Sequence, residues 1–412
     1  MAEYLAPGVY VEEVGFRAKS IEGVPTSIAG FIGPTLKGPF PVQTGRPEAN
    51  LPSPALPTRG EGVSASPAGG GGWEGEHTPL VSLMEYERVH GDGRPIPGPD
   101  GPRTNFMWYA ARAFFDNGGR QLHVARMDPA AKDRTAELTA CLAAFEAIDD
   151  LSTVAAPGLS ALGEAEAVAG IGLLREHVEK MRYRLAVIDC LPGQDVQSAR
   201  RFRARFDSAR LALYYPWVRG NDPYARNEIL LPPCGYVAGI YARADNERGV
   251  WKAPANEEVR GALGFEVMLD KAGQDVLNAE GINCFRFFLG RGMRLWGSRT
   301  LSSDPEWKYV NVRRYLDYLE RSIDRGTQWA VFEPNGEALR ARVRASIEAF
   351  LHDEWLRGGL RGDRPENAYF VRCDTSTMSQ YDIEQGRLIC LVGVAPLKPA
   401  EFITFRIGQH CG

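Results

Sequence analysis

Asp189 is the residue whose position in the sequence best suits catalysis. It lies near the end of the apolar run 184–190, which predicts a buried strand, and carboxylates at the carboxyl ends of such strands serve many α/β active sites. The residues that follow, Cys190-Leu-Pro-Gly193, supply neither the Gly-x-Ser-x-Gly turn of a serine hydrolase nor a neighbouring base. We therefore predict no catalytic residue.

Histidine and cysteine are dispersed along the chain. The six histidines and seven cysteines show no pairing at the spacing of zinc ligands, so we expect no metal site. The glycine-rich stretch within residues 39–76 lacks the Gly-Lys-Ser/Thr and Gly-x-Gly-x-x-Gly patterns that bind phosphate, and no cofactor is expected. An odd number of scattered cysteines indicates reduced thiols in a protein made in the cytoplasm.

The charge of the 412-residue chain is close to neutral. A net charge of −4 gives no overall footprint for nucleic acid or anionic lipid. The longest apolar run, Leu388–Leu397, is too short to span a bilayer, and the first residues show no secretory signal. One predicted helix carries a local arginine cluster, either a solvated face or a docking surface: Arg200, Arg201, Arg203, Arg205 and Arg210.

Helical and strand patterns alternate through residues 104–215. This alternation predicts a mainly parallel sheet that helices cover on both faces, and a separate, earlier strand is predicted at 27–33. Residues 39–76 are dominated by proline, glycine and serine, and we interpret them as a surface insertion. The four strands predicted within the alternating region are 120–126, 151–156, 184–190 and 209–215.

The later part of the sequence predicts two amphipathic helices. Asn311 is expected to cap the first helix and Asn335 the second. Arg340 and Arg344 lie on the polar face of the second helix, so they are expected to point outward. The apolar run Trp329–Phe332 predicts a short strand between the two helices.

Both ends of the sequence alternate in the manner of strands. The run 387–396 predicts a buried strand just before the last alternating segment, 401–407. Each terminal strand can pair within its own subunit or reach another subunit. The residues concerned are Val9, Tyr10 and Val11 in the first strand, and Phe402, Ile403, Phe405 and Ile407 in the last.

A series of segments occurs in the order of a known family. They are Ala6-Pro-Gly-Val-Tyr-Val-Glu-Glu13, Gly239-Ile-Tyr-Ala-Arg-Ala-Asp-Asn-Glu-Arg-Gly-Val-Trp-Lys-Ala-Pro254, Trp296-Gly-Ser-Arg-Thr-Leu301, Trp307-Lys-Tyr-Val-Asn-Val-Arg-Arg314, Gln328-Trp-Ala-Val-Phe-Glu-Pro-Asn335 and Lys398-Pro-Ala-Glu-Phe-Ile403. In this order they resemble the contractile tail sheath proteins of phages and of phage-like contractile injection systems. The likeness covers both termini and nearly everything after residue 230.

The resemblance implies a structural subunit that polymerises around an inner tube and contracts to drive the tube through a target envelope. It implies a homo-oligomer of stacked, hexameric rings with tube, baseplate and terminal cap proteins as partners. Neither nucleic-acid binding nor membrane insertion is expected. Assembly is expected in the bacterial cytoplasm, and both termini are expected to add strands to neighbouring subunits. The exposed charge of Arg340 and Arg344 makes them our candidates for the tube-facing surface.

The expected fold is mixed α/β and α+β. The resemblance implies that an outer α/β domain with a mainly parallel sheet is joined to an inner α+β domain, which combines the C-terminal region with the N-terminal arm. The expected boundaries are 1–25 for the N-terminal arm, 26–103 for the start of the sheath domain with its insertion, 104–290 for the outer domain, 291–400 for the inner domain and 401–412 for the C-terminal arm.

Two other functions remain open from the residues alone. A non-contractile tube or capsid-like protein would also self-assemble, but tube proteins tend to be smaller and barrel-like. An α/β enzyme would need a reacting group of side chains near Asp189, which the sequence does not supply. The choice between a phage tail and an injection system is also open, although the short chain favours the latter.

Overall fold

The computed structural model describes residues 20–41, 78–98 and 101–401. Contacts divide the chain into two compact units. Among the described residues, the large unit comprises Val24–Tyr318 with residues 398–401, and the small unit comprises Leu319–Leu397 with residues 20–23. The division at 318 differs from the predicted boundary at 290, because the strand Gly292–Leu295 still belongs to the main sheet of the large unit.

The strands and helices of the described residues are numbered in chain order. The strands are β1 (Ile28–Pro34), β2 (Gln121–Met127), β3 (Thr153–Ala155), β4 (Leu185–Asp189), β5 (Leu211–Tyr215), β6 (Val218–Asp222), β7 (Asn227–Leu231), β8 (Glu257–Glu258), β9 (Gly264–Phe265), β10 (Ile282–Phe288), β11 (Gly292–Leu295), β12 (Tyr369–Arg372) and β13 (Leu391–Val394). The helices are α1 (Leu83–His90), α2 (Phe106–Asp116), α3 (Arg134–Glu146), α4 (Glu164–Met181), α5 (Val196–Arg203), α6 (Cys234–Arg248), α7 (Lys271–Ala279), α8 (Val310–Thr327), α9 (Glu337–Leu356), α10 (Pro365–Ala368) and α11 (Gln380–Glu384).

The main sheet of the large unit has the strand order β2-β1-β3-β4-β5-β10-β11-β8. Its first six strands are parallel, and β11 and β8 are antiparallel. Alternate residues of β4 belong to two cores: Leu185 and Val187 pack in one, Ala186 and Ile188 in the other. The prediction of a mainly parallel sheet buried on both faces is therefore confirmed.

Helices α2 and α6 approach each other closely because α6 carries two glycines on one face. A Cβ atom at Gly235 would lie 2.6 Å from the backbone of Ala110, and one at Gly239 would lie 2.5 Å from the carbonyl oxygen of Phe114. These separations are far below normal van der Waals contact, so a side chain at either position would force the helices apart. The small residues of α6 thus set the thickness of this layer.

Short pairings finish the main sheet at both sides. Beside β2, Leu80 exchanges two main-chain hydrogen bonds with Leu122, at 2.8 and 2.9 Å. On the other side β8 contributes only Glu257 and Glu258. A separate antiparallel sheet of order β7-β6-β9 completes the strands of the large unit.

The first half of α8 is fixed in the large unit by a buried carboxylate. Asp317 accepts hydrogen bonds from both terminal nitrogens of Arg210, at 2.8 and 2.9 Å, and from Nη2 of Arg313 at 2.8 Å. The side chains are only 7 to 13% exposed. Asn311 lies inside α8 rather than at its cap, so that prediction is wrong; its amide donates to the Trp251 carbonyl at 2.8 Å.

The small unit corrects three further predictions. Residues 328–330 form a 3₁₀ turn, so the predicted strand Trp329–Phe332 is wrong. Helix α9 begins after Gly336, and Asn335 instead donates to the carbonyl of Arg387 at 3.0 Å. Within 387–396 only β13 is a strand, and it is exposed or half-buried because one strand, β12, pairs with it among the described residues.

Several predicted elements lie outside the described residues. They are the strand at 7–13, the terminal strand from Phe402 to Ile407 and most of the insertion at 39–76. Of the helices in the described ranges, none combines the length and apolar character that a membrane span requires.

Candidate assembly surfaces

Side chains of the large unit bind the carboxylate of Glu401, the last described residue. Arg299 donates from Nε to Oε1 at 2.8 Å and from Nη2 to Oε2 at 2.6 Å, the two-pronged geometry of a strong ion pair. Asn278 donates to Oε1 and the Tyr309 hydroxyl to Oε2, both at 3.1 Å, and Lys308 lies 3.9 Å from Oε2. Burial opposes ionisation, but the hydrogen bonds from Arg299 and Asn278 hold the pKa of Glu401 below its usual range.

A buried asparagine on β10 positions Arg299, which forms the ion pair with Glu401. Asn283 is fully buried, and its side-chain oxygen accepts from the backbone N–H of Arg299 at 2.6 Å. Its side-chain nitrogen donates to the Arg299 carbonyl at 2.7 Å and to the Leu213 carbonyl at 3.2 Å. The main sheet therefore fixes Arg299, and Arg299 fixes the point at which the chain leaves towards residue 402.

The small sheet, formed by β12 and β13, has main-chain N–H and C=O groups along its edge that no other described strand pairs with. The backbone N–H of Ala395 donates to the Ala368 carbonyl at 2.8 Å, so these two residues form a hydrogen-bonded pair. From there, hydrogen-bonded and non-hydrogen-bonded residue pairs alternate along β12 and β13. By that alternation Val392 and Val394 direct their N–H and C=O groups away from β12. No third strand from the described ranges joins this sheet. Two-stranded sheets are marginal alone and their edges readily accept another strand.

The two arginines predicted to face outward on α9 differ from each other. Arg344 is exposed and lies 3.8 Å from Glu348, a loose pair one turn along the helix. Arg340 is half-buried; its Nη2 reaches the Asn335 carbonyl at 3.4 Å, and its Nε is enclosed without a hydrogen-bond partner among the described residues. Arg344 therefore fits an outward-facing role better than Arg340 does.

The arginine cluster around α5 is largely structural. Arg203 donates to the Phe206 carbonyl at 2.9 Å and to the Leu301 carbonyl at 3.0 Å. Arg201 is exposed, which leaves it as the member best able to meet solvent or a partner. The remaining members form ion pairs within the large unit: Arg200 with Glu280, Arg205 with Glu164, and Arg210 with Asp317.

Asp189 joins β4 to α6 and does not form part of a reacting group. Its carboxylate is buried and accepts from the backbone N–H of Cys234, the first residue of α6, at 2.7 Å. Burial raises the pKa of Asp189 to about 7, although the hydrogen bonds from Cys234 oppose that rise. No group of histidine, cysteine, aspartate or glutamate among residues 20–41, 78–98 and 101–401 is arranged to hold a metal ion.

A cavity of about 540 Å³ opens at the carboxyl ends of β1, β2 and β3. The chain passes from β1 to β2 on one side and then to β3 on the other, which is the strand-order reversal where α/β proteins bind ligands. Its lining is mainly apolar, with Arg134, Asp128 and Glu166 as its charged members besides Arg103. The described lining contains no serine, cysteine or histidine that could act as a nucleophile or base with them.

Sequence reasoning missed the ion pair between Arg299 and Glu401, although both residues lie in segments that carry the family resemblance. Arg299 belongs to Trp296-Gly-Ser-Arg-Thr-Leu301, and Glu401 to Lys398-Pro-Ala-Glu-Phe-Ile403. The two residues are 102 positions apart, and periodicity reports only contacts within one element. The one available signal was an acidic residue at the start of the predicted strand 401–407.

Comparison with known proteins identifies the family. The phage tail sheath protein central domain matches residues 132–301, and the phage tail sheath C-terminal domain matches residues 302–409. A prophage major tail sheath protein of Pseudomonas aeruginosa (strain UCBPP-PA14) is 30% identical over 256 residues, 61% of this chain and 63% of that protein. The chain spans between 31% and 63% of the length of the curated tail sheath proteins that it matches.

Solved structures match over the whole chain. The anti-feeding prophage (AFP) helical sheath in the contracted state aligns over 99% of this chain and 100% of that chain, with a TM-score of 0.74 and 29% identity. A chain of the 6-fold symmetrised AFP baseplate aligns over the same shares, with a TM-score of 0.73 and 29% identity. These matches confirm the resemblance predicted from the sequence, and the chain belongs to the contractile tail sheath family.

Proposed function

We propose that this chain is the subunit of a contractile sheath, which polymerises around an inner tube and contracts to drive the tube through a target envelope. The observation that carries the proposal is the end-to-end match to the contracted AFP sheath, over 99% of this chain and 100% of that one. Because the family is structural, the work is done by a conformational change of a polymer, and no catalytic residue takes part.

The particle we favour is a phage-like injection system assembled in the bacterial cytoplasm. Two AFP chains match over their full length, whereas the curated tail sheath proteins match over at most 63% of theirs. The sixfold baseplate among these matches supports stacked hexameric rings in contact with a baseplate. A tube protein inside the rings and a terminal cap protein complete the proposed set of partners.

Strand addition at the small sheet is the link we propose between subunits. The strands containing Val9–Val11 and Phe402–Ile407 would each pair with the small sheet of a neighbouring copy, where Val392 and Val394 offer main-chain groups. About six added hydrogen bonds at roughly 1 kcal/mol each hold one neighbour by only several kcal/mol. Repetition around and between rings turns this modest link into a cohesive lattice, while the globular units remain able to slide during contraction.

Electron microscopy of the purified full chain tests the sheath proposal. Long hollow helical polymers are the expected result, because each copy both offers a small sheet and carries the strands that fill it. A monodisperse monomer at every concentration and salt condition would contradict the proposal. Hollow polymers with a single axial rise per subunit, and no second, contracted helical form, would favour a non-contractile tube instead.

Arg344 and Arg340 are the residues we propose for contact with the inner tube. Arg344→Glu reverses an exposed charge. If Arg344 faces an acidic surface of the tube protein, co-purification of the tube protein should fall by at least tenfold. Arg112→Glu is the matched control, because Arg112 forms a similar loose pair with Asp116, 3.6 Å away and one turn along α2. Equal co-purification of the tube with both variants would remove Arg344 from the interface.

A further inference from the structure

Cys373 and Cys390 lie opposite each other where the small sheet ends. Arg372 pairs with Leu391 in the β12–β13 register, so the next residue outward on each strand is a cysteine. Continuing the alternation set by Ala395 and Ala368 makes Cys373 and Cys390 a non-hydrogen-bonded pair, whose Cα atoms are typically about 4.5 Å apart. Disulfides bridge Cα separations of about 4.4–6.8 Å, so the backbone already suits one.

Side-chain contacts agree with this register. Each thiol affects the pKa of the other, which agrees with side chains that lie next to each other across the pair. Just beyond them, the Thr377 hydroxyl donates to the Ile389 carbonyl at 2.8 Å and keeps the two segments together. Both cysteines are free in this structure; Cys373 is 2% exposed and Cys390 is half-buried.

We propose that Cys373 and Cys390 are a latent dithiol, which oxidises to an intrachain disulfide when the protein meets an oxidising medium containing low-molecular-weight disulfides. The bond would tie the end of β12 to the start of β13 and close the loop between them. It involves side chains only, so the outward main-chain groups of Val392 and Val394 remain available. The proposal concerns this chain's own thiols and holds whether or not the sheath proposal does.

Oxidised glutathione serves as the disulfide reagent, and the reaction is two successive exchanges. The Cys390 thiolate, the more exposed of the two, attacks one glutathione sulfur, forms a mixed disulfide and releases one glutathione thiolate. Loss of a proton from Cys373 then lets its thiolate attack the Cys390 sulfur and expel the second glutathione. The protein loses two hydrogen atoms and two thiols, and one oxidised glutathione becomes two reduced molecules.

The surroundings of the pair make this exchange slow at neutral pH. Burial raises the pKa of Cys390 to about 12, and burial also raises the pKa of Cys373, which the hydrogen bond from Cys390 partly offsets. Since only the thiolate attacks, the rate should rise about tenfold per pH unit below that pKa. The charged groups near the pair are Arg340, Arg344 and Glu348 of α9, and Asp374 in the turn after β12.

The test uses the full chain with Cys411→Ser, which removes a cysteine outside the described residues as a source of links between chains. The folded protein is incubated with oxidised glutathione at about pH 7 and about pH 8, and peptides are mapped under non-reducing conditions. We expect one linked peptide pair joining residues 373 and 390, formed about tenfold faster at the higher pH. The thermal midpoint of the small unit should rise by several degrees and return on reduction.

Single substitutions separate a true pair from independent thiols. Cys373→Ser should stop at a glutathione adduct on Cys390, and Cys390→Ser should leave Cys373 unreacted because it is buried. The proposal is overturned if the parent chain accumulates glutathione on Cys390 while Cys373 stays free, since the second exchange would then be blocked. It is also overturned if oxidation links either cysteine to a third residue within the same chain.

Discussion

A chain that stops after Phe402 is expected to stay folded and to form no helical polymer. The deletion removes most of the segment that we propose pairs with a neighbour's small sheet, including the apolar side chains of Ile403, Phe405 and Ile407. It retains Glu401 and therefore the ion pair between Glu401 and Arg299, which keeps the large unit intact. A loss of about six hydrogen bonds per subunit removes several kcal/mol from each link of the lattice.

Electron microscopy and thermal unfolding, run on the same preparation, check this expectation. Thr404→Pro is a gentler version, because proline removes one main-chain donor and restricts the backbone within the strand. His410→Pro, beyond the alternating segment, is its matched control and should leave polymers intact. Polymers of normal length from the chain that stops after Phe402 would show that the terminal strand is not the link. Loss of the unfolding transition would show that it serves the fold instead.

Asp317→Ala is expected to destabilise the large unit by about 3–5 kcal/mol, because it leaves Arg210 and Arg313 buried without their shared carboxylate. The measurement is denaturant unfolding in the chain that stops after Phe402, where polymers do not interfere. Asp275→Ala is the control. Its pair with Lys271 has side chains 63% and 84% exposed, so its loss should change stability by no more than about 0.5 kcal/mol.

A third variant decides why Asp317 matters. Replacing Asp317, Arg210 and Arg313 together with apolar residues of similar volume should recover much of the lost stability, since no charge is then left unpaired. A single Asp317→Ala variant as stable as the Asp275→Ala control would mean that water reaches both arginines. In that case the cluster would contribute little to fixing α8.

Local patterns in the sequence identified most helices and strands of the large unit. The helical segment between the predicted strands 151–156 and 184–190 is α4, whose first turn carries Glu164 and Glu166, and acidic residues favour a helix N-terminus. Strands buried on both faces, such as β4, appear in the sequence as continuous apolar runs. The wrong predictions concern weaker signals: Asn311 and Asn335 suit caps, but each has a long-range main-chain partner that only the folded chain supplies.

The assembly surfaces were only partly predictable. Alternation at residues 401–407 predicts a strand but not what it pairs with. The apolar run 387–396 predicted a buried strand, whereas β13 pairs only with β12 among the described residues and stays exposed or half-buried. Trp329–Phe332 was misread for a related reason. Its apolar residues suggest a strand, yet Phe332 is fully exposed with φ of 66°, a conformation that ends regular pairing.

The short pairings at both sides of the main sheet bear on misassembly. A protein that joins its copies by strand addition exposes every other sheet to the same reaction, and an open strand on a large sheet is a template for aggregation. Here β2 is occupied by Leu80 through two hydrogen bonds, and β8 is only two residues long. An intruding strand would find few consecutive partners at either place. If copies join by strand addition at the small sheet, as we propose, these short pairings would direct the added strand away from the main sheet.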